Sequence, residues 1–463
     1  MTVADYLRYV KSLTGTKVVC AEGDCGACTI LVSRTIDGEL TPYQSINSCI
    51  SFMYLLDRCH LITVEGLKKD DEFHPVQLAM VECGGAQCGY CTPGFICALA
   101  SLTEDAIKQS FALEEKRVKN YLTGNLCRCT GYDSIIKAGC SVDLNQVTAL
   151  DKMYDDAEIE RVLKTFDGPV RIKFEDKETY LPATVEDAVK TKKESTTIRV
   201  SSGATDLGVL SNKNKIKLLE VLALTNIGSL YSITEDDEYL TVGARASLAS
   251  VEKATSKLFP AFSNYLHVFA SPQIKNSGTL IGNVINASPI ADTVPFLRVA
   301  QAELVLRNST RERTVNINAF FKGGYKEIDL QADELVTHIK IPKTELKFKL
   351  YKVSARRDLD ISTVTFAAAY ELDGQTLSAF SLALGGVGPT VLRMSSIEKL
   401  ATGQIFDQKN FKDYAQKVNQ MITPLSDVRG SADFRHLLCH NLLLKFCDEV
   451  MAENGFITSE ISL

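Results

Sequence analysis

Cys20-Ala21-Glu22-Gly23-Asp24-Cys25-Gly26-Ala27-Cys28, with Cys49 further on, decides how this chain is read. Three thiols spaced C-x4-C-x2-C with a later fourth match the plant-type [2Fe-2S] pattern, in which one loop wraps a two-iron cluster. Gly23 and Gly26 lie inside that loop, where a missing side chain lets backbone N–H groups approach the sulfurs. A four-cysteine zinc site is the competing reading, although zinc more often pairs C-x2-C with C-x2-C. Downstream, Thr29-Ile30-Leu31-Val32 and Tyr43-Gln44-Ser45-Ile46 flank a turn at Asp37-Gly38, the pattern of a hairpin that returns Cys49 to the loop.

A second thiol set follows, Cys88 and Cys91 and then Cys127 and Cys129. Pro75 opens a short helix to about Cys83, and Thr92-Pro93 reads as an N-cap followed by proline at the first helical position. Further helical stretches at about 104–121 and 132–140 complete a four-helix unit. Both thiol pairs sit at helix entries, where free N–H groups and the positive dipole end favour an anionic centre. Spacing alone leaves iron and zinc both open for this second set.

Fourteen cysteines in 463 residues could suggest disulfides, yet all but Cys439 and Cys447 lie before residue 141. Disulfide frameworks belong to short secreted domains, so clustered thiols at ligand spacing point to metal. Cys59, Cys83, Cys97, Cys140, Cys439 and Cys447 lack such spacing and read as buried small hydrophobes. A net charge of -6, with 45% hydrophobic and 23% charged residues, excludes disorder and offers no basic surface for nucleic acid or anionic lipid. No apolar run approaches the roughly 18 residues of a spanning helix, and Met1-Thr2-Val3-Ala4-Asp5 lacks signal-peptide character. The expectation is a cytoplasmic protein without a membrane partner.

Residues 143–170 are acidic and weakly periodic, the texture of a linker. Alternating strands and helices follow, with strands at 196–200, 239–242 and 302–306. A break at Ile341-Pro342-Lys343 precedes strands at 347–353, 362–371 and 378–385 and helices at 393–401, 409–420 and 432–452. No G-x-G-x-x-G supports a Rossmann site. Two other loops, Ser201-Ser202-Gly203-Ala204-Thr205-Asp206-Leu207-Gly208 and Gly278-Thr279-Leu280-Ile281-Gly282-Asn283, could cradle a pyrophosphate or be plain surface turns.

Gly23-Asp24-Cys25-Gly26-Ala27-Cys28-Thr29, Gln87-Cys88-Gly89-Tyr90-Cys91-Thr92-Pro93-Gly94 and Gly124-Asn125-Leu126-Cys127-Arg128-Cys129-Thr130-Gly131-Tyr132 resemble the iron–sulfur domains of the xanthine oxidase family of molybdenum hydroxylases. The resemblance implies an α+β multidomain chain. Its parts would be a truncated ferredoxin-like β-grasp domain over 1–66, a four-helix [2Fe-2S] domain over 67–142, the linker, a vanillyl-alcohol-oxidase-type FAD domain over 171–343 and an α+β flavoprotein C-terminal domain over 344–463. Family members begin with a β-hairpin ahead of Val3-Ala4-Asp5-Tyr6-Leu7-Arg8, so the first domain is expected to lack part of its sheet. By position, Val200, Ser201, Ser202, Gly203, Ala204, Thr205, Asp206, Leu207, Phe269, Thr279, Gly282, Asn283, Asn286, Ser288, Asp292, Val336 and Lys352 would hold FAD. Ala204 and Ile281 replace glycines usual in the family.

By the same resemblance, Tyr325 would lie at an NAD site, and Gln87 would contact the molybdopterin of a large subunit in a heterodimer or a dimer of heterodimers. No residue here is expected to be catalytic on the substrate. That oxidation, of a purine or alternatively of an aldehyde or N-heterocycle, would occur on the partner. Electrons would leave through the two [2Fe-2S] clusters and FAD to NAD+.

Overall fold

The computed structural model describes residues 1–357 and 359–456. The chain divides into two compact units, Met1–Ser232 with Ser247–Ala249 and Ala270–Thr279, and Ile233–Ala246 with Ser250–Phe269 and Leu280–Leu463. Both mix helices with sheets, so the chain is a multidomain α+β protein. Residues 171–343 contribute to both units.

In the first unit, strand Thr29–Ile36 is central. It pairs antiparallel with Gln44–Asn47 and with Cys59–Ile62, and continues across the Asp37-Gly38 turn to Glu39–Leu40. Both its faces are covered, which is why Ile30-Leu31-Val32 is a continuous apolar run rather than an alternating one. Ile30 and Val32 pack with Val3, Leu7, Ile46 and Leu56. Leu31 faces the other way into a core that includes Phe95, Leu99, Val118 and Ile135. The beginning of the chain is tied to this sheet by the Val3 amide, which donates to Ser51 O at 2.8 Å.

Four helices make that second core: Pro75–Glu82, Thr92–Gln109, Glu115–Tyr121 and Asp133–Ser141. Two sequence expectations shift here. Helix Thr92–Gln109 runs through the region read as the start of a separate helix at 104, and the break falls at Ser110, whose φ of 55° caps it in the left-handed region. Its N-cap is Cys91 rather than Thr92. Cys140, read as buried, is exposed, whereas Cys97, Cys439 and Cys447 are buried as expected.

Residues 143–170, read as a linker, are docked. Leu150 is fully buried in the helical core, and helix Asp156–Leu163 supplies Glu160, which accepts a hydrogen bond from the Leu40 amide at 3.1 Å. A second, mixed sheet orders Val170–Phe174, Lys177–Leu181, Glu220–Ala223 and Arg199–Ser201, the last two pairings parallel.

The second unit holds an antiparallel sheet in the order Glu312–Asn316, Glu303–Arg307, Leu335–Pro342, Tyr239–Gly243, Ile233–Glu235. Another antiparallel sheet is built from Lys347–Val353, Val364–Asp373, Thr376–Gly385 and Leu392–Arg393. Helices Ser395–Ala401, Gln408–Met421 and Ala432–Glu453 share one core with it through Phe366, Tyr370, Phe380, Phe411 and Phe446. Residues 457–463 of the expected C-terminal domain lie outside the described residues. Among the described residues, no helix is long and apolar enough to cross a membrane.

Docking of Leu150 buries a carboxylate. Glu104, 2% exposed, accepts from the Leu150 amide through Oε1 at 2.9 Å, while its Oε2 has no hydrogen-bond partner and Lys108 Nζ stands 3.9 Å away. Burial raises its pKa. The folded value therefore stands above the unfolded one, so ionised Glu104 opposes folding at neutral pH, and the penalty fades as pH falls through the raised folded value and is gone below about pH 4.3. Glu104→Gln keeps an acceptor for Leu150 and is expected to raise the thermal midpoint by about 2 °C at pH 7. The gain should vanish at pH 4, as checked by thermal unfolding at both pH values.

Candidate functional site

The first thiol loop is shaped by three left-handed residues, Ala21, Gly23 and Gly26, with φ of 55°, 81° and 65°. A Cβ on Gly26 would overlap Gly124 O, and one on Gly94 would overlap Gly26 O, so the loop, the helix at 92 and the 124–129 segment meet where side chains are missing. Cys25, Cys28 and Cys49 are buried and Cys20 is half-buried. The Cys20 sulfur lies against those of Cys25 and Cys49, and Cys28 against Cys49. Cys20 and Cys28 are pushed down by these neighbours, and Cys25 and Cys49 are pushed up by the same contacts with burial adding to it. Four such sulfurs ionise together only around a cation. The Glu22 amide donates to Cys20 Sγ at 3.4 Å, and Asn47 Nδ2 fixes the loop by donating to Gly23 O at 2.8 Å.

In the second set, Cys129 and Cys88 sulfurs are 3.6 Å apart and exposed. Cys91 and Cys127 form the inner pair. Burial, with the Cys127 thiol beside it, lifts Cys91 to about 12. Burial also opposes ionisation of Cys127, but the Thr130 hydroxyl and amide and the Cys129 amide outweigh it and bring its pKa down. The Tyr132 hydroxyl accepts from the Cys127 amide at 3.0 Å. Among the described residues, no three His, Cys, Asp or Glu side chains converge on one ion position. Each set brings four thiols, the number a two-iron cluster takes, two per iron.

The two sets are joined directly. The Leu126 amide donates to Cys25 O at 2.9 Å, and Asn125 Nδ2 donates to Gly26 O at 3.0 Å. Exposed Gln87, Cys88, Tyr90, Leu126, Arg128 and Cys129 form the outer rim of the second set.

In the first unit, strand Arg199–Ser201 turns through Ser202, Gly203 and Ala204 into helix Thr205–Asn212. A Cβ on Gly203 would overlap Ser277 O, so this turn lies against the 277–279 segment, and the Ser202 and Thr279 hydroxyls are 3.4 Å apart. Ala204 has φ of 55°, which accounts for the family's usual glycine there. Its side chain is held with Leu207 against Phe52 and Leu55. Val200 is half-buried, Ser201 buried, Thr205 half-buried and Asp206 exposed.

In the second unit, Asp292 and Lys352 form a buried ion pair at 2.8 Å, with side chains 5% and 4% exposed. Lys352 Nζ also donates to Asp360 O and Ser362 Oγ, and Ser362 Oγ donates to the other Asp292 oxygen at 2.6 Å. Asn283 accepts from Thr293 Oγ1 at 2.6 Å, and Asn286 accepts from Lys326 Nζ at 3.1 Å. The Ser288 hydroxyl accepts from the Ile290 amide. Gly282 and Ile281 lie in helix Leu280–Ile285 with Ile281 buried. Val336 is buried on strand Leu335–Pro342, Phe269 is half-buried and Tyr325 is exposed.

Comparison with known proteins decides the family. A profile described as "[2Fe-2S] binding domain" matches residues 63–140. One described as "FAD binding domain in molybdopterin dehydrogenase" matches 172–344, and one described as "CO dehydrogenase flavoprotein C-terminal domain" matches 349–450. The chain carries the domain set of an iron–sulfur and flavin region of the xanthine oxidase family of molybdenum hydroxylases. It is 28% identical to xanthine dehydrogenase of Emericella nidulans over 98% of its own length and 37% of the relative's. To the enzyme of Drosophila pseudoobscura pseudoobscura it is 26% identical over 99% and 39%. The chain thus spans a little over a third of these relatives. Its fold is similar to a chain of quinoline 2-oxidoreductase from Pseudomonas putida 86, with TM-score 0.56 and 22% identity over 61% of this chain and 99% of that one. A chain of carbon monoxide dehydrogenase from Hydrogenophaga pseudoflava gives 0.55 and 22% over 60% and 96%.

Sequence reading missed several residues of these sites. Asn212 donates to Cys49 O at 2.8 Å and to Ala21 O at 2.9 Å, so helix Thr205–Asn212 runs from the glycine turn to the first thiol loop. Ser362 and Tyr265 accompany Asp292, the Tyr265 hydroxyl buried beside the carboxylate, where burial first and the Asp292 charge second push its pKa up. An isolated Asn or Tyr at helical spacing carries no signal of such a role. Asp292→Ala would strand the Lys352 charge in the interior and is expected to destabilise the chain by about 3–5 kcal/mol, measured by denaturant unfolding. Gly26→Ala, which combines a positive φ with a clash, should cut bound iron while Gly84→Ala, in open space, should not; iron analysis of the two proteins separates them.

Proposed function

We propose that this chain is the electron-transfer part of a xanthine dehydrogenase. It would take electrons from a molybdenum cofactor on a partner subunit through two [2Fe-2S] clusters to FAD and then NAD+, as hypoxanthine or xanthine is oxidised to urate. The observation that carries the reading is the continuous path of named contacts within the first unit. It runs from exposed Cys88 and Cys129 through Cys127 and Leu126 to Cys25, and from Cys49 through Asn212 along helix Thr205–Asn212 to Ser202 and Gly203. Bound clusters supply one-electron storage and bound flavin exchanges one electron with them and a hydride with nicotinamide.

The residues have separable tasks. Cys20, Cys25, Cys28 and Cys49 would hold one cluster, and Cys88, Cys91, Cys127 and Cys129 the other. Asn47 and Asn212 keep the first loop closed through its carbonyls. In the first unit, residues 200–207 and Thr279 would present hydroxyls and amides to a dinucleotide; in the second, Gly282, Asn283, Asn286, Ser288, Asp292, Phe269, Val336 and Lys352 are the residues the family resemblance gives to FAD. Lys352 donates to Asp292 Oδ2, Asp360 O and Ser362 Oγ, so its part in that binding would be to hold the Asp292 carboxylate in place. Tyr325, exposed, is available to nicotinamide, and exposed Gln87 to the partner's pterin. Oxidation of the purine, and with it substrate choice, would belong to the large subunit of a heterodimer. A cytoplasmic location fits thiols held in paired, reduced form.

Purified anaerobically, the chain should contain about four irons and one FAD. It should pass electrons from NADH to an artificial dye and fail to turn over xanthine. Zinc in place of iron, or xanthine turnover without a partner, would overturn the assignment.

A further inference from the structure

The two thiol loops touch through one backbone amide and the Asn125 side chain, but what keeps that contact closed comes from far along the chain. Gln273, on helix Pro272–Ser277, is fully buried among residues more than 140 positions earlier. Its Nε2 donates to Asn125 Oδ1 at 2.8 Å and to Thr29 Oγ1 at 3.3 Å. Asn125 in turn donates through Nδ2 to Gly26 O at 3.0 Å, and Thr29 Oγ1 donates to the same carbonyl at 2.6 Å. Gln273 Oε1 has no hydrogen-bond partner and rests where a Cβ of Gly124 would lie, so only glycine admits it at that position. The helix is anchored on its other side by Asn276, whose Nδ2 donates to Ser45 O at 2.9 Å.

This is an expensive arrangement for packing alone. A buried amide with one unsatisfied oxygen costs stability that a leucine or methionine of similar volume would avoid. What the amide does that an apolar group cannot is orient Asn125 and Thr29 together, one beside Leu126 and Cys127 and the other beside Cys28. Both then hold Gly26 O, one residue from the Cys25 carbonyl that accepts the Leu126 amide.

We propose that Gln273 is a positioning residue for electron exchange between the two clusters, keeping the Cys25–Leu126 backbone contact closed. The proposal rests on both thiol sets holding iron, as argued above. It adds that their coupling is set by a side chain outside both iron–sulfur segments.

The test uses the full chain with iron content measured first, comparing wild type, Gln273→Met and Gln273→Glu. In Gln273→Met the Leu126 amide should lose hydrogen-exchange protection by roughly tenfold, the worth of about one hydrogen bond. The magnetic splitting between the two reduced clusters should shrink or disappear. In Gln273→Glu the protonated carboxyl can still donate to Asn125 Oδ1, so the splitting should return at low pH and be lost when the group ionises. A structural role would not produce that pH dependence, and the Glu variant keeps the test open if the Met variant fails to fold. Normal iron with unchanged Leu126 protection and wild-type splitting in both variants would overturn the role of Gln273 alone. Absence of iron from wild type would instead overturn the cluster assignment.

Discussion

Everything in the first unit depends on backbone segments meeting without side chains between them. Gly26 against Gly124, and Gly94 against Gly26, are approaches that any Cβ would block, and they are what allow the Leu126 amide to reach Cys25 O. The cysteines alone would permit two independent metal loops. It is the glycines that place the loops in hydrogen-bond contact, and the sandwiched strand Thr29–Ile36, buried on both faces, fixes the first loop relative to the helix that begins at Thr92.

The same device recurs at the turn through Ser202, Gly203 and Ala204. Gly203 lies on Ser277 O and Gly208 on Ile50 O, so the short helix Thr205–Asn212 is pressed against the first thiol loop at one point while its amino end shapes the turn. Asn212 then closes the contact with two donated hydrogen bonds. Ala204 shows the tolerance of the arrangement: a left-handed alanine costs about 1 kcal/mol relative to glycine, offset by its packing on Phe52 and Leu55.

Much of this was legible in the sequence because it is encoded locally. Thiol spacing, the Asp37-Gly38 turn, Pro75 and Pro93 at helix starts and the C-terminal strands and helices are short-range signals, and the α+β class followed from them. What escaped is long-range. The break at Ser110 needs a left-handed serine that no propensity marks. The docking of 143–170 rests on Leu150 entering a core assembled from four distant helices. Gln273, Asn212 and Tyr265 act through partners far away in sequence, and a polar residue on a helix looks the same whether it faces solvent or closes a site. The split of residues 171–343 between two units has the same origin, since contacts rather than spacing decide it.

The central claim is that one chain carries electrons between two iron–sulfur clusters and a flavin. Anaerobic addition of NADH to the purified chain, followed by low-temperature electron paramagnetic resonance, tests it most directly. The account predicts two distinct reduced [2Fe-2S] signals appearing as the flavin absorbance bleaches. Flavin bleaching with neither cluster signal, in protein that contains its full iron, would contradict it.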